Sequence, residues 1–178
     1  DSLRQAVRVV QQDPFLFTSS LENNIAYGDP WADDEAIRDA ASVAQIDGFV
    51  GVLPDGYRTL VGERGVSLSG GQKQRTALAR TAMLRPAVLI LDDSMAAIDA
   101  GTEQRIRLAL KPLTETCATI IITHRLGGLR GADEIVFLEE GRIIERGSHH
   151  ELIARGGRYA ALYALQTRDS ARTGGGTP

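Results

Sequence analysis

The chain of 178 residues has a single cysteine and only two lysines. Cys117 lies beside a strand-like run and reads as a small buried apolar residue of a reducing compartment rather than a reactive thiol. Neither lysine, Lys73 or Lys111, follows a glycine. Long apolar runs are missing too. Ala87 to Leu91 and the stretch around Ile120 to Ile122 are far too short to span a bilayer. There is no basic-then-apolar signal segment at the N-terminus. The formal net charge is −3, which argues against a broad nucleic-acid-binding surface. No internal repeat, second domain or long coiled-coil heptad pattern is visible. The first residue is Asp1 rather than methionine, which suggests processing or a piece of something longer.

What remains is ordinary globular material, 43% apolar and 24% charged, of a length that suggests one domain. Ala6 to Val10 reads as a strand that ends at Gln11-Gln12 and is broken by Asp13-Pro14. Trp31 to Asp47 reads as a helix capped by Asp33, with Ala36, Ile37, Ala40, Val43 and Ala44 at helical spacing. Gly48 to Gly65 is loop-rich, with a turn at Pro54-Asp55-Gly56. A helix is predicted from Gly71 to Leu84, stopped by Pro86. Ala87 to Leu91 reads as a parallel strand buried on both faces. A helix over Gly101 to Leu110 and a second buried strand over Thr119 to Thr123 follow. Glu134 to Leu138 and Arg142 to Glu145 read as a hairpin turning at Glu140-Gly141. His150 to Ala154 and Arg158 to Gln166 read as helices, and Thr173 to Pro178 as a disordered tail. Alternating helices and buried strands define an α/β layered domain.

Four places could carry chemistry. Ser69 and Gln72 fit an S-x-x-Q capping box, a purely structural device. Yet Gly70 and Gly71 leave room for a ligand or another backbone, and a helix N-terminus favours an anion. Lys73, Arg75 and Arg80 follow, so a phosphate site is an alternative. Asp92 and Asp93 directly follow a buried strand, where ligands of open α/β sheets bind. One could hold Mg²⁺, often through water, and the other could orient or deprotonate a water; a turn or capping pair is the plainer reading. His124 ends the second strand, at the same sheet edge, and could contact a phosphate or relay a proton. Gln12 ends the first strand as a neutral oxygen donor for a metal or water. His149 and His150 read as surface residues near a helix start.

Together and in this order these places resemble the nucleotide-binding domain of ATP-binding-cassette (ABC) transporters. Gln12 in VVQQDPFLF matches the Q-loop glutamine, and LSGGQ, Leu68 to Gln72, matches the signature in full. AVLILDD matches Walker B, with Asp92 as the Mg²⁺-linked aspartate. AAID, Ala96 to Asp99, matches the D-loop, and His124 the switch histidine. TLVGERG (Thr59 to Gly65), ENNIAYG (Glu22 to Gly28) and GSHHELIARGGRYAALYALQ (Gly147 to Gln166) resemble exporter-type members. The resemblance spans about Val9 to Gln166. It implies a P-loop NTPase (RecA-like) core with a helical signature subdomain over residues 1–167, followed by a disordered tail, 168–178. It also implies ATP and Mg²⁺ as ligands, with Asp93 and His124 catalytic and Gln12 and Asp92 at the metal. Gln12, Ser69, Gly70, Gly71, Gln72, Asp92 and Asp99 would be at ATP. The implied partners are a second such domain paired head to tail, and a transmembrane domain reached through Thr59 to Gly65. The implied place is the cytoplasmic face of a cell membrane, without nucleic acid.

The sequence departs from that pattern twice. The phosphate-binding loop G-x-x-x-x-G-K-S/T, which should precede Gln12, is absent. Its strand belongs to the core sheet, so apolar surface should be left uncovered. The reading is an N-terminally incomplete core whose isolated form is inactive; the alternatives are a non-catalytic half that only lends its signature to a partner, or a soluble relative acting on DNA or ribosomes. Secondly, Asp93 stands where the family usually has glutamate, one methylene shorter. That resembles the weakened half of an asymmetric heterodimer.

Overall fold

The computed structural model describes residues 3, 6–62 and 66–173, of which 169–173 by backbone alone. Glu63, Arg64 and Gly65 of the exporter-like segment, and residues 174–178 of the expected tail, lie outside the described residues. Val7–Val10 forms strand β1. Ser19–Ser20 (β2) leads into helix α1, Leu21–Ile25, whose Ser20 cap accepts the amide of Asn23. The predicted helix over Trp31 to Asp47 is shorter, α2 (Asp34–Val43), and a short helix α3 (Asp47–Val50) runs into the stretch expected to be loop-rich. Gln45, in a left-handed conformation at φ 56°, stands between the two. Asp33 caps α2 as predicted, accepting the Ala36 amide at 2.8 Å. Leu60–Val61 (β3) pairs antiparallel with β2. Elements this short carry no hydrophobic period, which is why β2, β3 and α1 were not legible.

Helix α4, Gly70–Met83, follows and turns at Arg85 (φ 41°) into strand β4, Val88–Asp92. Helix α5, Ala100–Thr114, runs past the predicted end at Leu110 and holds Pro112 inside its last turn. The carbonyl that Pro112 leaves without a helical donor is that of Leu108, an exposed residue whose carbonyl can face water. Strand β5, Ala118–Ile122, completes a parallel sheet of order β1-β4-β5. The two sequence-predicted strands are therefore parallel neighbours. Only β4 is buried, with Leu89 and Leu91 almost fully enclosed, whereas Ile120 and Ile122 on β5 are each 51% exposed. The expectation of a second buried strand is corrected: among the described residues the sheet ends at β5, so no further strand flanks it. Cys117, just before β5, is half-buried against the core rather than buried.

Where the sequence shows no second domain, the chain divides into two compact units between Ile122 and Thr123. In the first, α2, α4 and β4 close a core of Ile37, Ala41, Ile46, Leu78, Leu89 and Ile106. In the second, strands β6 (Ile135–Glu139) and β7 (Arg142–Gly147) pair through Glu140-Gly141. Both turn residues have positive φ, 49° and 74°, the geometry of a two-residue hairpin loop. Helix α6, His149–Arg155, begins with a Ser148–Glu151 capping box and ends at Gly156, φ 65°. Helix α7, Arg158–Thr173, runs on past residue 167, where the tail was expected to start. The core of this unit is Leu126, Leu129, Ile135, Leu152 and Tyr159.

Candidate functional site

The parallel register builds the site. Val10 pairs with Leu91, so the residues that follow, Gln11-Gln12 and Asp92-Asp93, leave the sheet at one carboxyl edge. Asp92 and Asp93 are half-buried there. Asp93 donates its amide to the Ile122 carbonyl at 2.8 Å and takes φ 42°, a left-handed conformation that aspartate tolerates better than most residues. Ser94, next in the chain, is buried with its hydroxyl bonded to no other described group.

The tip of α4 stands beside this edge. Its capping box is present in both directions: Ser69 donates its amide to Gln72 Oε1 at 2.8 Å, and Gln72 donates its amide to Ser69 Oγ at 3.3 Å. The glycines have an intramolecular reason. A Cβ on Gly71 would stand 2.8 Å from the Ala97 carbonyl oxygen, and one on Gly70 3.3 Å from the Ala97 Cβ. The close approach that their spacing allows is thus made by the chain's own Ala96–Asp99 turn. Asp99 caps α5, accepting the Thr102 amide at 2.9 Å, and that bond holds its carboxyl below the ordinary carboxylate range. An open cleft of about 330 Å³ lies between, lined by Gln12, Gly70, Lys73, Gln74 and Ala97 among others.

Of the residues singled out in the sequence, Gln12, Gly70 and the turn before Asp99 meet at this cleft, and Asp92 and Asp93 share its sheet edge. His124 belongs to the second unit. There its carbonyl accepts the Gln166 side-chain amide at 2.6 Å, while Gln166 Oε1 accepts the Leu126 amide at 2.9 Å. His149 and His150 stand at the helix start as expected, His150 exposed and His149 half-buried. Nδ1 of His149 lies 2.8 Å from the hydroxyl of Tyr159, a fully buried side chain, and the His149 ring packs edge-on to Tyr163.

Two residues of α4 have structural roles beyond those the sequence indicated. Arg80, named only as a basic neighbour of the helix tip, donates to the carbonyls of Asn24 and Phe15 and to Asn24 Oδ1, at 2.7, 3.1 and 3.0 Å, and lies over the Phe17 and Tyr27 rings. Burial pushes its pKa down from the ordinary value. Gln74 was missed altogether; it is 3% exposed on the buried stripe of α4, a polar side chain among Ala77, Leu78 and Thr81. Its place at helical spacing from those residues was the available signal.

Among the described residues no three His, Cys, Asp or Glu side chains cluster as a metal cage. A carboxylate and a carboxamide at one sheet edge are hard oxygen donors. They fit Mg²⁺, which takes one or two protein carboxylates beside water and substrate phosphates.

A parallel sheet with paired acids at a strand end and a capped glycine-rich helix tip beside them is the α/β architecture of the P-loop NTPase class. The ABC transporter family matches residues 1–96, and the chain belongs to that family. It is 51% identical over 94% of its length to the uncharacterized ABC transporter ATP-binding protein YknU of Bacillus subtilis, and 47% identical over 93% to ABC transporter B family member 19 of Arabidopsis thaliana. A bacterial Atm1-family ABC exporter, solved with ATP bound, superposes on 93% of the chain with a TM-score of 0.86 at 44% identity. The chain spans 29% of the Bacillus relative, 13% of the Arabidopsis one and 29% of that exporter. Its likeness is to the nucleotide-binding domain of exporters. Among the described residues no helix is long and apolar enough to cross a membrane.

Proposed function

We propose that the chain is the ATP-binding and ATP-hydrolysing part of an ABC exporter, at the cytoplasmic face of a cell membrane. There it pairs with a second nucleotide-binding domain and drives export of a substrate. The observation that supports this most is the register that brings Gln12 to the same edge as Asp92 and Asp93. Asp92 and Gln12 would hold Mg²⁺, which when bound neutralises charge on the β- and γ-phosphates. Asp93 orients the attacking water and takes its proton, and His124 hydrogen-bonds a γ-phosphate oxygen. Ser69, Gly70, Gly71 and Gln72 present a helix tip to a phosphate held by the partner domain. Asp99 keeps the adjoining turn in place. The segment Thr59 to Gly65 docks the membrane domain. Asp93, short and in a left-handed backbone, makes this the weaker half of a heterodimer.

The test is ATP turnover by the full-length protein in lipid vesicles. With the partner domain's own catalytic acid removed, Asp93→Asn lowers the remaining kcat by about 10²-fold or more. Ser69→Arg blocks ATP-driven pairing while leaving ATP bound. Turnover indifferent to both changes removes the reading. Asp93→Glu raises turnover if the half is weakened; an unchanged rate removes the asymmetric pairing.

A further inference from the structure

We infer that Gln74 is a positioning residue that ties the Gln12 loop, the Ala96–Asp99 turn and the tip of α4 into one mechanical part. Its side chain is 3% exposed. A buried carboxamide is costly unless both ends are bonded. Here both are. Nε2 donates to the Gln12 carbonyl at 2.8 Å, and Oε1 accepts the Ala97 amide at 3.1 Å. Only this orientation of the carboxamide satisfies both partners, since a backbone amide requires the oxygen and a carbonyl requires the nitrogen.

The partners lie 62 and 23 residues away in sequence, and neither bond belongs to a helix or sheet ladder. Ala97 is held from three directions by one helix: its amide by Gln74, its carbonyl against Gly71 and its methyl against Gly70. Beyond the turn, Arg75 of the same helix donates to the Gln45 carbonyl. Gln45 Oε1 in turn accepts Arg105 Nε at 3.1 Å, and Arg105 bonds Thr102 on the first turn of α5. The turn is therefore gripped at Ala97 and again just after Asp99. A shift of the Gln12 loop cannot occur without pulling on Gln74, and through it on Ala97. A movement started where a metal or water would meet Gln12 thus reaches the turn that ends in Asp99. That use of the tether rests on the proposed function; the tether itself does not.

Amide hydrogen exchange of this chain, read by NMR without nucleotide, tests the tether directly. Gln74→Met removes both bonds. Gln74→Glu keeps an acceptor for the Ala97 amide but sets a carboxylate against the Gln12 carbonyl. With Gln74→Met the Ala97 amide exchanges about tenfold faster, and the amides of residues 11–17 other than Pro14 loosen with it. With Gln74→Glu residues 11–17 loosen while Ala97 stays closer to the native rate. Native exchange at Ala97 in Gln74→Met, or an even rise over the whole first unit, overturns the tether. If Gln74→Met does not fold, Gln74→Glu decides alone: selective loosening at 11–17 supports it, and no change or an even change overturns it. In the full-length protein, Gln74→Glu lowers kcat for ATP about tenfold with KM within about twofold; an unchanged kcat overturns the positioning role. A native protein that hydrolyses no ATP removes the proposed function and leaves the exchange result standing.

Discussion

Gly71 is where the plainest and the most specific readings of the signature meet. The sequence offered two uses for its missing Cβ, a ligand or another backbone. The structure supplies the second, because the Ala97 carbonyl would lie 2.8 Å from that Cβ. Contact at this distance with a backbone atom cannot be relieved by rotating a side chain. Gly71→Ala should therefore destabilise the fold by about 1–3 kcal/mol, the cost of overpacking, even after the small helix-propensity gain of alanine. Gly70→Ala meets only the Ala97 methyl at 3.3 Å and should cost clearly less. Urea midpoints of the two variants check this, and equal midpoints would show that the turn moves aside freely. The capping box of Ser69 and Gln72 was legible because it closes within one helical turn. The grip on Ala97 was not, because a glycine announces room without saying what fills it.

At the scale of elements, the long periodic pieces were readable and the pieces set by single side chains were not. α4 and β4 follow from their spacing and their apolar run. Between α6 and α7, beside the buried Leu152 and Tyr159, one histidine adds a polar tie instead. His149 sits against buried Tyr159 and beside Tyr163, His150 and Arg130; desolvation first, then the charges of His150 and Arg130, hold its pKa below the ordinary value. Burial raises the Tyr159 pKa, so its hydroxyl stays protonated and pairs with Nδ1 of a neutral His149. The sign follows by linkage. The unfolded chain binds this proton more readily than the folded one, so the contribution is complete above the unfolded pKa of about 6.5 and falls as the pH drops towards the folded value. Urea denaturation at pH 8 and pH 5 should show an acid loss for the native chain that is smaller in His149→Asn. The comparison isolates His149, since His150 and the carboxylates titrate in both proteins. An identical acid loss in the variant would mean that the His149–Tyr159 contact carries no pH dependence.

At the scale of the molecule, the sheet reads differently from its strands. Parallel sheets are covered on both faces because their crossovers lay helices there. β4 obeys this. β5 exposes Ile120 and Ile122 on one face and Ile121, at 36%, on the other. The sequence predicts uncovered apolar surface, but a run such as Ala118–Ile122 has the same apolar pattern whatever flanks it. Among the described residues the sheet order leaves β1 and β5 as edges, and the exposure of Ile120, Ile121 and Ile122 marks β5 as the apolar one. An edge strand with apolar residues on both faces is a template for pairing with another chain. The net charge of −3 opposes such pairing only weakly. The chain as it stands should therefore associate as its concentration rises, sedimenting above its monomer mass of 19.2 kDa. Charges placed on the edge should suppress this: Ile120→Lys combined with Ile122→Lys restores the monomer, whereas Leu138→Lys, an exposed residue of β6 in the second unit, leaves association unchanged. Sedimentation velocity over a concentration series separates the outcomes. A native chain that stays monomeric throughout, or a Leu138 change as effective as the β5 pair, would show that the open edge of β5 is not the adhesive surface.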